Sequence, residues 1–265
     1  MIHKAKKSLG QNFLKSEPAL NKMGEAGSVN NNDIVIEIGP GKGALTNKLL
    51  KLAKKVIAIE KDEELITILK ERFTSEIESG KLELINDDIL NINPIKLELK
   101  DSGYKIIANI PYNITGAILK KFLTEENKPE NMILLVQKEV AERIVARDSK
   151  ESILSLSVKA YGTPTYIMKV GKRFFSPSPK VDSAIIAIRN INRTNFINKQ
   201  EEDMFFNIVK SGFAHKRKVL RKNLVTITEK EKIDMVFNEL KIDSKTRAED
   251  IKLNLRLSLT KKLIK

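Results

Sequence analysis

The strongest constraint on the fold of this chain is a strand pattern that runs directly into a glycine-rich turn. Residues 33–38 (DIVIEI) form an apolar run typical of a buried strand, and GPGKG (39–43) follows at once. The amphipathic stretch at 44–54 then predicts a helix. This arrangement opens a nucleotide-binding βαβ unit, in which glycines let a ligand approach the backbone closely. The spacing departs from G-x-G-x-x-G and no P-loop Lys-Ser/Thr follows, which disfavours a pyrophosphate cradle.

The alternation of apolar runs and helical patterns predicts an α/β protein with a second, helical part. Strands are predicted at 56–59, 82–85, 105–108 and 132–136, and a final pair at 165–170 and 183–188 around a proline-rich loop. Strands that alternate with helices form a doubly wound parallel sheet. Beyond residue 196, apolar residues recur at helical spacing. We therefore expect an N-terminal basic arm and helix at 1–32, an α/β domain at 33–190 and an all-helical domain at 196–265.

Polar residues follow the second and third predicted strands, where ligands bind in open α/β sheets. Glu60 lies about 20 residues past the first glycine, where a carboxylate can grip a ribose diol. Alone, it fits NAD and S-adenosylmethionine almost equally. Asp88 can accept a hydrogen bond from the exocyclic amine of the cofactor's adenine, and Ile89 can pack on the ring. Asp87 and Asp88 could equally be two solvated loop acids.

The fourth predicted strand ends in the tetrapeptide Asn109-Ile110-Pro111-Tyr112. The Asn109 amide oxygen and the Ile110 carbonyl can each accept an N–H from an amine. Pro111 removes a competing donor and stiffens the backbone, and Tyr112 offers a flat face on which a base can stack. Together these residues suit the presentation of an exocyclic amine on a flat heterocycle to an electrophile. Asn and Pro are also ordinary turn residues, so the tetrapeptide alone leaves both interpretations open.

The tetrapeptide resembles the [DNS]-P-P-[YFW] signature of amino-methyltransferases, which favours S-adenosylmethionine as the cofactor. The whole chain resembles the ribosomal RNA adenine N6-dimethyltransferase family. The resemblance rests on six segments in family order: LGQNFL (9–14), EIGPGKGALT (37–46), NIPYNI (109–114), QKEVA (137–141), FSPSPKVDS (175–183) and FAHKRKVL (213–220). QKEVA and the helical C-terminal region resemble the housekeeping small-subunit enzymes rather than the antibiotic-resistance branch, which modifies large-subunit RNA.

The resemblance implies a Rossmann-like methyltransferase sheet with a small all-helical C-terminal domain. It implies N6,N6-dimethylation of two adjacent adenines near the 3′ end of 16S ribosomal RNA, in small-subunit precursor particles, with a part in ribosome biogenesis. The implied cofactor-binding residues are Asn12, Leu14, Gly39, Gly41, Glu60, Asp88, Ile89 and Asn109. The implied catalytic residues are Asn109, Ile110, Tyr112 and Phe175, with Phe175 on the face of the target adenine opposite Tyr112. The alternative places Phe174 and Phe175 in the core.

The net charge of +14 is concentrated at the two ends of the chain. Residues 196–265 carry +7 and residues 1–32 carry +3, while the longer middle carries only +4. This distribution indicates a polyanionic partner contacted by flanking elements. The candidate RNA-binding residues are Lys216, Arg217, Lys218, Arg221 and Lys222, predicted to lie on one helix with an outward basic face. A solvated lysine-rich face is the alternative.

Composition excludes several classes of site. The chain has no Cys and only two His, which rules out disulfides and Cys-ligated zinc and argues against a metal site or a Ser-His-Asp triad. The N-terminus has lysines but no following apolar segment, which argues against a signal peptide. We therefore expect a cytoplasmic protein without membrane association. We also expect a monomer. Two rival functions remain at this point: an assembly protein that has kept the fold and lost turnover, and a nicotinamide dehydrogenase with the same βαβ opening.

Overall fold

The computed structural model describes residues 3–215 and 217–264. The chain forms two compact units. The first consists of Met1–Ala141 and Thr163–Asn192, and the second of Glu142–Gly162 and Arg193–Lys265. Among the described residues, no helix combines the length and the apolar character needed to cross a membrane.

The nine described strands all belong to the first unit. In chain order they are β1 (Phe13–Leu14), β2 (Ile34–Ile38), β3 (Lys55–Glu60), β4 (Leu82–Asn86), β5 (Lys105–Asn109), β6 (Asn131–Gln137), β7 (Thr163–Val170), β8 (Phe175–Ser176) and β9 (Ser183–Arg189). The described α-helices are α1 (Glu17–Ala26), α2 (Ala44–Leu52), α3 (Glu63–Arg72), α4 (Thr74–Glu78), α5 (Thr115–Thr124), α6 (Lys138–Val145), α7 (Ile153–Lys159), α8 (Lys199–Gly212), α9 (Leu220–Leu224), α10 (Lys230–Glu239) and α11 (Leu253–Ile264).

Seven strands form one sheet in the order β4-β3-β2-β5-β6-β9-β7. Strands β2 to β6 are parallel, while β9 runs antiparallel between β6 and β7. The predicted α/β fold and the closing strand pair are confirmed. Parallel strands are covered on both faces, which explains why β2, β3, β5 and β6 are nearly continuous apolar runs and almost fully buried. The chain order reverses at β2 and β5, which places the ligand crevice beside their carboxyl ends.

The N-terminal arm is part of the first unit. Strand β1 pairs antiparallel with β8, with Phe13 opposite Ser176 and Leu14 opposite Phe175. The Ser16 side chain then caps α1 by accepting the Ala19 N–H. The sequence-based boundary at residue 32 therefore separates segments that share one core, since Leu14, Leu20 and Met23 pack in the same cluster as Val35 and Leu49.

The second unit is helical, as expected, but it begins earlier than the sequence indicated. Residues 142–162, assigned above to the α/β domain, pack with residues 193–265. The Tyr161 ring lies 5.8 Å from Phe196 and 6.1 Å from Phe206, and its hydroxyl donates to the buried carboxylate of Glu202. The linker-like segment before α8 is also packed, because the Phe196 side chain is buried.

The helix expected through the basic run is interrupted. Helix α8 ends at Gly212, and the next helix, α9, begins only at Leu220 and has five residues. Asn223 holds the start of the intervening loop, since its amide donates to the carbonyls of Gly212 at 2.6 Å and His215 at 3.2 Å. Arg217 and Lys218 therefore lie on a loop, while Arg221 and Lys222 lie on α9. Lys216 lies outside the described residues.

Candidate active site

A cavity of about 530 Å³ lies at the carboxyl ends of β2, β3 and β5, beside the loop that follows β4. Its lining includes all eight predicted cofactor-binding residues, namely Asn12, Leu14, Gly39, Gly41, Glu60, Asp88, Ile89 and Asn109. Ile110 and Tyr112 line the same cavity, and Phe175 does not belong to the lining. The structure thus brings together residues that are up to 100 positions apart in the sequence.

The glycine-rich turn leaves space for a ligand and anchors a carboxylate. A Cβ atom at Gly39 would meet no atom within 4 Å, so the backbone there faces open space. Gly41 has φ of +59°, and a Cβ atom there would lie 2.9 Å from the Phe13 ring. The Gly41 N–H donates to Oε2 of Glu60 at 3.2 Å. Glycine is thus required at this position by the backbone conformation as well as by the close approach of the arm.

Glu60 ends β3 with its carboxylate fixed by two backbone donors. Besides the Gly41 N–H on Oε2, the Asp62 N–H donates to Oε1 at 3.0 Å. Burial raises the pKa of Glu60, and the two N–H donors partly offset this effect. Each carboxylate oxygen has more than one acceptor direction, so these bonds orient the group without exhausting it. The arrangement suits a diol that donates to both oxygens.

Asp88 is both a structural cap and a candidate ligand. Its Oδ1 accepts the Leu90 N–H at 2.9 Å, and its Oδ2 accepts the Lys61 ammonium at 2.8 Å. The Lys61 ammonium holds the pKa of Asp88 below its usual range. Asp87 accepts hydrogen bonds from the Asp88 N–H and from the Asn91 amide, which gives it a structural role in the loop.

Asn109 has a defined orientation. Its amide nitrogen donates to the backbone carbonyl of Asn12 at 3.0 Å. A carbonyl can only accept, so this contact identifies the amide nitrogen and turns Oδ1 away from Asn12. Tyr112 is anchored as well, because its hydroxyl lies 2.6 Å from Oγ of Ser183. Burial raises the pKa of Tyr112, and the hydrogen bond with Ser183 partly offsets this shift.

Comparisons with known proteins agree with this geometry. The family model for ribosomal RNA adenine dimethylases matches residues 2–265. The chain belongs to the ribosomal RNA adenine dimethylase family. The Ribosomal RNA small subunit methyltransferase A of Fusobacterium nucleatum is 39% identical over 264 residues, which cover 98% of each chain. The protein of that name from Dehalococcoides mccartyi is 42% identical over 252 residues, covering 94% of this chain and 85% of its own. A dimethyladenosine transferase from Plasmodium falciparum has a TM-score of 0.79 at 28% identity, covering 93% of this chain and 95% of its own.

The cofactor of the dimethylase family is S-adenosylmethionine, and the cavity has the chemistry to hold it. The methyl donor carries a positively charged sulfonium, and the lining includes the carboxylates of Glu60 and Asp88. Oε2 of Glu37 is buried in the wall of the cavity and has no hydrogen-bond partner among the described residues. Gly39, whose backbone faces open space, follows Glu37 by two residues at the end of β2.

Glu37 was not among the residues that sequence reasoning selected. It lies in β2 with 1% of its surface exposed. Burial raises the pKa of Glu37 to about 8, with hydrogen bonding to Thr46 opposing the shift and the nearby Glu60 carboxylate adding to it. The signal was present in the sequence, because a single acid interrupts the apolar run IVIEI. A charge in such a run is costly unless the site uses it.

Glu37→Gln is expected to change how stability depends on pH. The folded protein keeps the Glu37 proton to about pH 8, whereas an unfolded chain releases it near pH 4.5. Wild-type stability from this group is therefore fully present below pH 4.5 and is lost as the pH rises towards 8. Glutamine does not titrate, so the variant should gain stability relative to wild type across this window, by up to a few kcal/mol at about 1.36 kcal/mol per pKa unit. Urea unfolding without cofactor at a series of pH values measures the difference. An equal trend in Glu71→Gln, an exposed acid on α3, would contradict the assignment to Glu37.

The arm of the dimethylase is fastened to the site by a second acid that sequence reasoning missed, Asp62. Its carboxylate accepts hydrogen bonds from the side chains of Lys6 at 2.6 Å and Gln11 at 2.7 Å, and lies 3.0 Å from Nε2 of His3. Burial alone would raise the pKa of Asp62, but these contacts hold it at about 2. Asp62 follows Glu60 by two residues, so the arm is attached beside the ribose candidate. Asp62 lies more than 50 residues after its partners on the arm, so no local sequence pattern predicts this contact.

The structure corrects the expectation for the two phenylalanines. The Phe175 ring is 4% exposed and packs in the core cluster that contains Leu14 and Ile185. The alternative of two core rings is also wrong for Phe174, which is 38% exposed. Successive side chains on an extended segment point to opposite sides, so only one of two neighbours can face the core. A free face of Phe175 for the target adenine is therefore not present in this structure, and the aromatic residues that line the cavity are Phe13 and Tyr112.

The predicted RNA-binding residues differ in their availability. Arg217, Lys218 and Lys222 are exposed. Arg221 is held by Asp234, with Nη2 donating to Oδ2 at 2.8 Å. Its charge is thus engaged within the protein and is less free to contact a phosphate than the charges of the three exposed residues.

Proposed function

We propose that this dimethylase converts adenines of 16S ribosomal RNA to N6,N6-dimethyladenosine in precursor particles of the small ribosomal subunit, acting in the cytoplasm. The orientation of the Asn109 amide carries the proposal. Because its nitrogen is bound to Asn12, its oxygen is left as an acceptor in the wall of the cofactor cavity. The small-subunit assignment is supported by the names of relatives that share 39% and 42% of their residues with this chain.

In the proposed site, Gly39 lies against the methionine portion of the cofactor, Glu60 grips the ribose, and Asp88 with Ile89 holds the adenine. When bound, S-adenosylmethionine supplies an electrophilic methyl group on a sulfonium. Asn12 and Leu14, on the arm, cover the cofactor from the side opposite the sheet ends. Each of these residues lines the cavity, which supports one continuous binding site.

The chemistry assigned to Asn109 and Ile110 is positional and electrostatic. The lone pair of adenine N6 is delocalised into the ring, so the amine is a weak nucleophile. Hydrogen bonds from its two N–H groups to Oδ1 of Asn109 and the carbonyl of Ile110 favour a more pyramidal nitrogen, whose lone pair then points at the methyl group. The same acceptors stabilise the positive charge that develops on N6. Tyr112 stacks on the base and holds it in the attacking orientation.

No general base is needed in this mechanism. The proton on N6 becomes acidic only after transfer and can leave to water. After the first transfer the amine has one N–H left, so one of the two acceptors must do without a partner during the second transfer. The site therefore holds the monomethylated base mainly through stacking on Tyr112 and one remaining hydrogen bond.

The function is tested with labelled S-adenosylmethionine and small-subunit particles that lack the modification, followed by nucleoside mapping of the RNA. The expected product is N6,N6-dimethyladenosine in 16S RNA, with no incorporation into particles that already carry it. Label that appears only when large-subunit particles are supplied instead would contradict the small-subunit assignment. Tight cofactor binding without transfer would contradict the assignment of an active enzyme and leave an assembly role.

We place the contact with the body of the RNA on the loop that contains Arg217 and Lys218. Helical RNA presents phosphates and 2′-hydroxyls rather than readable base edges, so shape and charge dominate its recognition. Arg217→Glu combined with Lys218→Glu is expected to weaken particle binding and to reduce the slope of log affinity against log salt by about 0.7–0.9 per lost phosphate contact. Binding measured at several salt concentrations gives this slope.

The matched control for this prediction replaces two other exposed lysines of the second unit, Lys230 and Lys245, by Glu. It makes the same change in net charge at different positions. Equal losses in both double variants would show that general charge, and not this loop, governs binding.

A further inference from the structure

An exposed aromatic ring lies at the edge of the active-site cavity and has no role in the mechanism above. Phe174 is 38% exposed, and the Arg173 guanidinium carbon lies 5.0 Å from the centre of its ring. A guanidinium over an aromatic face forms a flat, positively charged surface.

The backbone fixes this pair beside the cavity. The Phe174 carbonyl accepts the Lys15 N–H at 2.8 Å, which continues the ladder of β1 and β8 by one residue. Lys15 and Ser176 both line the cavity. On the other side the Phe174 N–H donates to the Gly171 carbonyl at 3.0 Å. Phe174 therefore lies directly opposite Lys15 and two residues before Ser176, both of which line the cavity.

The surroundings of the ring are cationic and ordered. Lys15, Lys172, Arg173 and Lys180 are all exposed. Within the part of the chain that the structure describes, Lys15, Arg173 and Lys180 form no ion pair, while the charge of Lys172 adds to the effect of Lys169 in lowering the pKa of Asp182. The nearby acid, Asp182, is already used, since it accepts the Lys172 N–H at 3.0 Å and pairs with the Lys169 ammonium at 2.9 Å. The loop therefore presents more positive than negative charge around a flat surface.

We propose that Phe174, with Arg173 stacked on it, is a binding site for an unpaired nucleobase next to the target adenine, and that Lys172 and Lys180 contact the adjoining phosphates. This inference rests on the proposed function. Single-stranded RNA is bound in this way, by aromatic rings and Arg planes that stack on bases within a basic groove. The site would hold the strand on one side of the target while Tyr112 holds the target base itself.

The proposal is tested by measuring the affinity of small-subunit particles for the wild-type protein and for Phe174→Ala, Phe174→Leu and Phe174→Trp. Loss of one stacked base is expected to weaken binding at least about fivefold in the Ala and Leu variants. The Trp variant should bind as wild type does, because it retains a flat aromatic face. Wild-type affinity in the Leu variant would show a merely apolar contact and overturn the proposal.

Two further variants test the contribution of the Arg173 charge and provide a control for the loss of an exposed apolar side chain. Arg173→Gln keeps the ring and removes the charge, and it should also raise the dissociation constant and the KM for particles while leaving cofactor affinity unchanged. Ile95→Ala removes an apolar side chain that is 49% exposed on the same unit outside the cavity lining, and it should bind as wild type does. Unchanged affinity in both Phe174→Ala and Arg173→Gln would contradict the proposed nucleobase-binding site. Failure of the wild-type protein to methylate adenine would instead contradict the proposed function. The binding comparison would still show whether Phe174 and Arg173 bind a nucleobase.

Discussion

Asn109→Ala is expected to lower the rate of methyl transfer by about 10²–10³-fold, the loss seen when one oriented polar group is removed from a site where charge develops. The hydrogen bond from N6 to Oδ1 strengthens as the nitrogen becomes pyramidal, so the loss should appear in kcat rather than in RNA affinity. The measurement is a single-turnover rate with saturating cofactor and particle.

The asparagine variant will also bind the cofactor less tightly, because the Asn109 amide holds the Asn12 carbonyl of the arm. Saturation with cofactor removes this second effect from the rate. Asn31→Ala, which truncates an exposed asparagine before β2, is the matched control and should transfer methyl groups at the wild-type rate. A rate for Asn109→Ala within tenfold of wild type would show that this side chain does not act on N6.

Glu60→Ala should weaken S-adenosylmethionine binding by at least about a hundredfold. Two charge-assisted hydrogen bonds to the ribose are removed, each contributing about 1.5–3 kcal/mol. The variant also releases the N–H groups of Gly41 and Asp62 from their acceptor, which loosens the glycine-rich turn. Calorimetric titration of the cofactor into each variant measures the loss directly.

A second substitution at Glu60 separates charge from shape. Glu60→Gln keeps one acceptor oxygen and the volume of the side chain, so its affinity should fall between those of wild type and Glu60→Ala. Glu63→Ala, an exposed acid at the start of α3, provides the control for net charge. Unchanged affinity in Glu60→Ala would remove the ribose assignment.

The sheet and the cofactor edge could be predicted from the sequence because each depends on local patterns. Buried parallel strands are apolar throughout, and the residue that ends such a strand faces the ligand edge whatever the rest of the chain does. Glu60 and Asn109 were found in this way. Glu37 was missed because it stands inside a strand rather than at its end, where position alone does not indicate contact with a ligand.

Features that depend on long-range packing could not be predicted in the same way. The boundary near residue 142 follows from the contacts of Tyr161 with Phe196 and Phe206, which no local pattern reveals. The loop between α8 and α9 interrupts a stretch whose apolar spacing suits a helix. The Asn223 amide donates to the carbonyl of Gly212 and so holds the end of α8. For Phe174 and Phe175, a difference of one residue in the pairing of a two-residue strand decides which ring is buried.

The contact between Asn12 and Asn109 links two steps, the exchange of the cofactor and the transfer of the methyl group. The arm that carries the Asn12 carbonyl also carries Lys6 and Gln11, which bind Asp62 next to Glu60. Cofactor exchange at Glu60 requires this segment to move aside, and each adenine needs two exchanges. Whenever the arm is displaced, the Asn109 amide loses the acceptor that orients it. The Asn109 amide is thus aligned only while the arm is in place, so we expect the ordering of this one peptide segment to control when the amine can react.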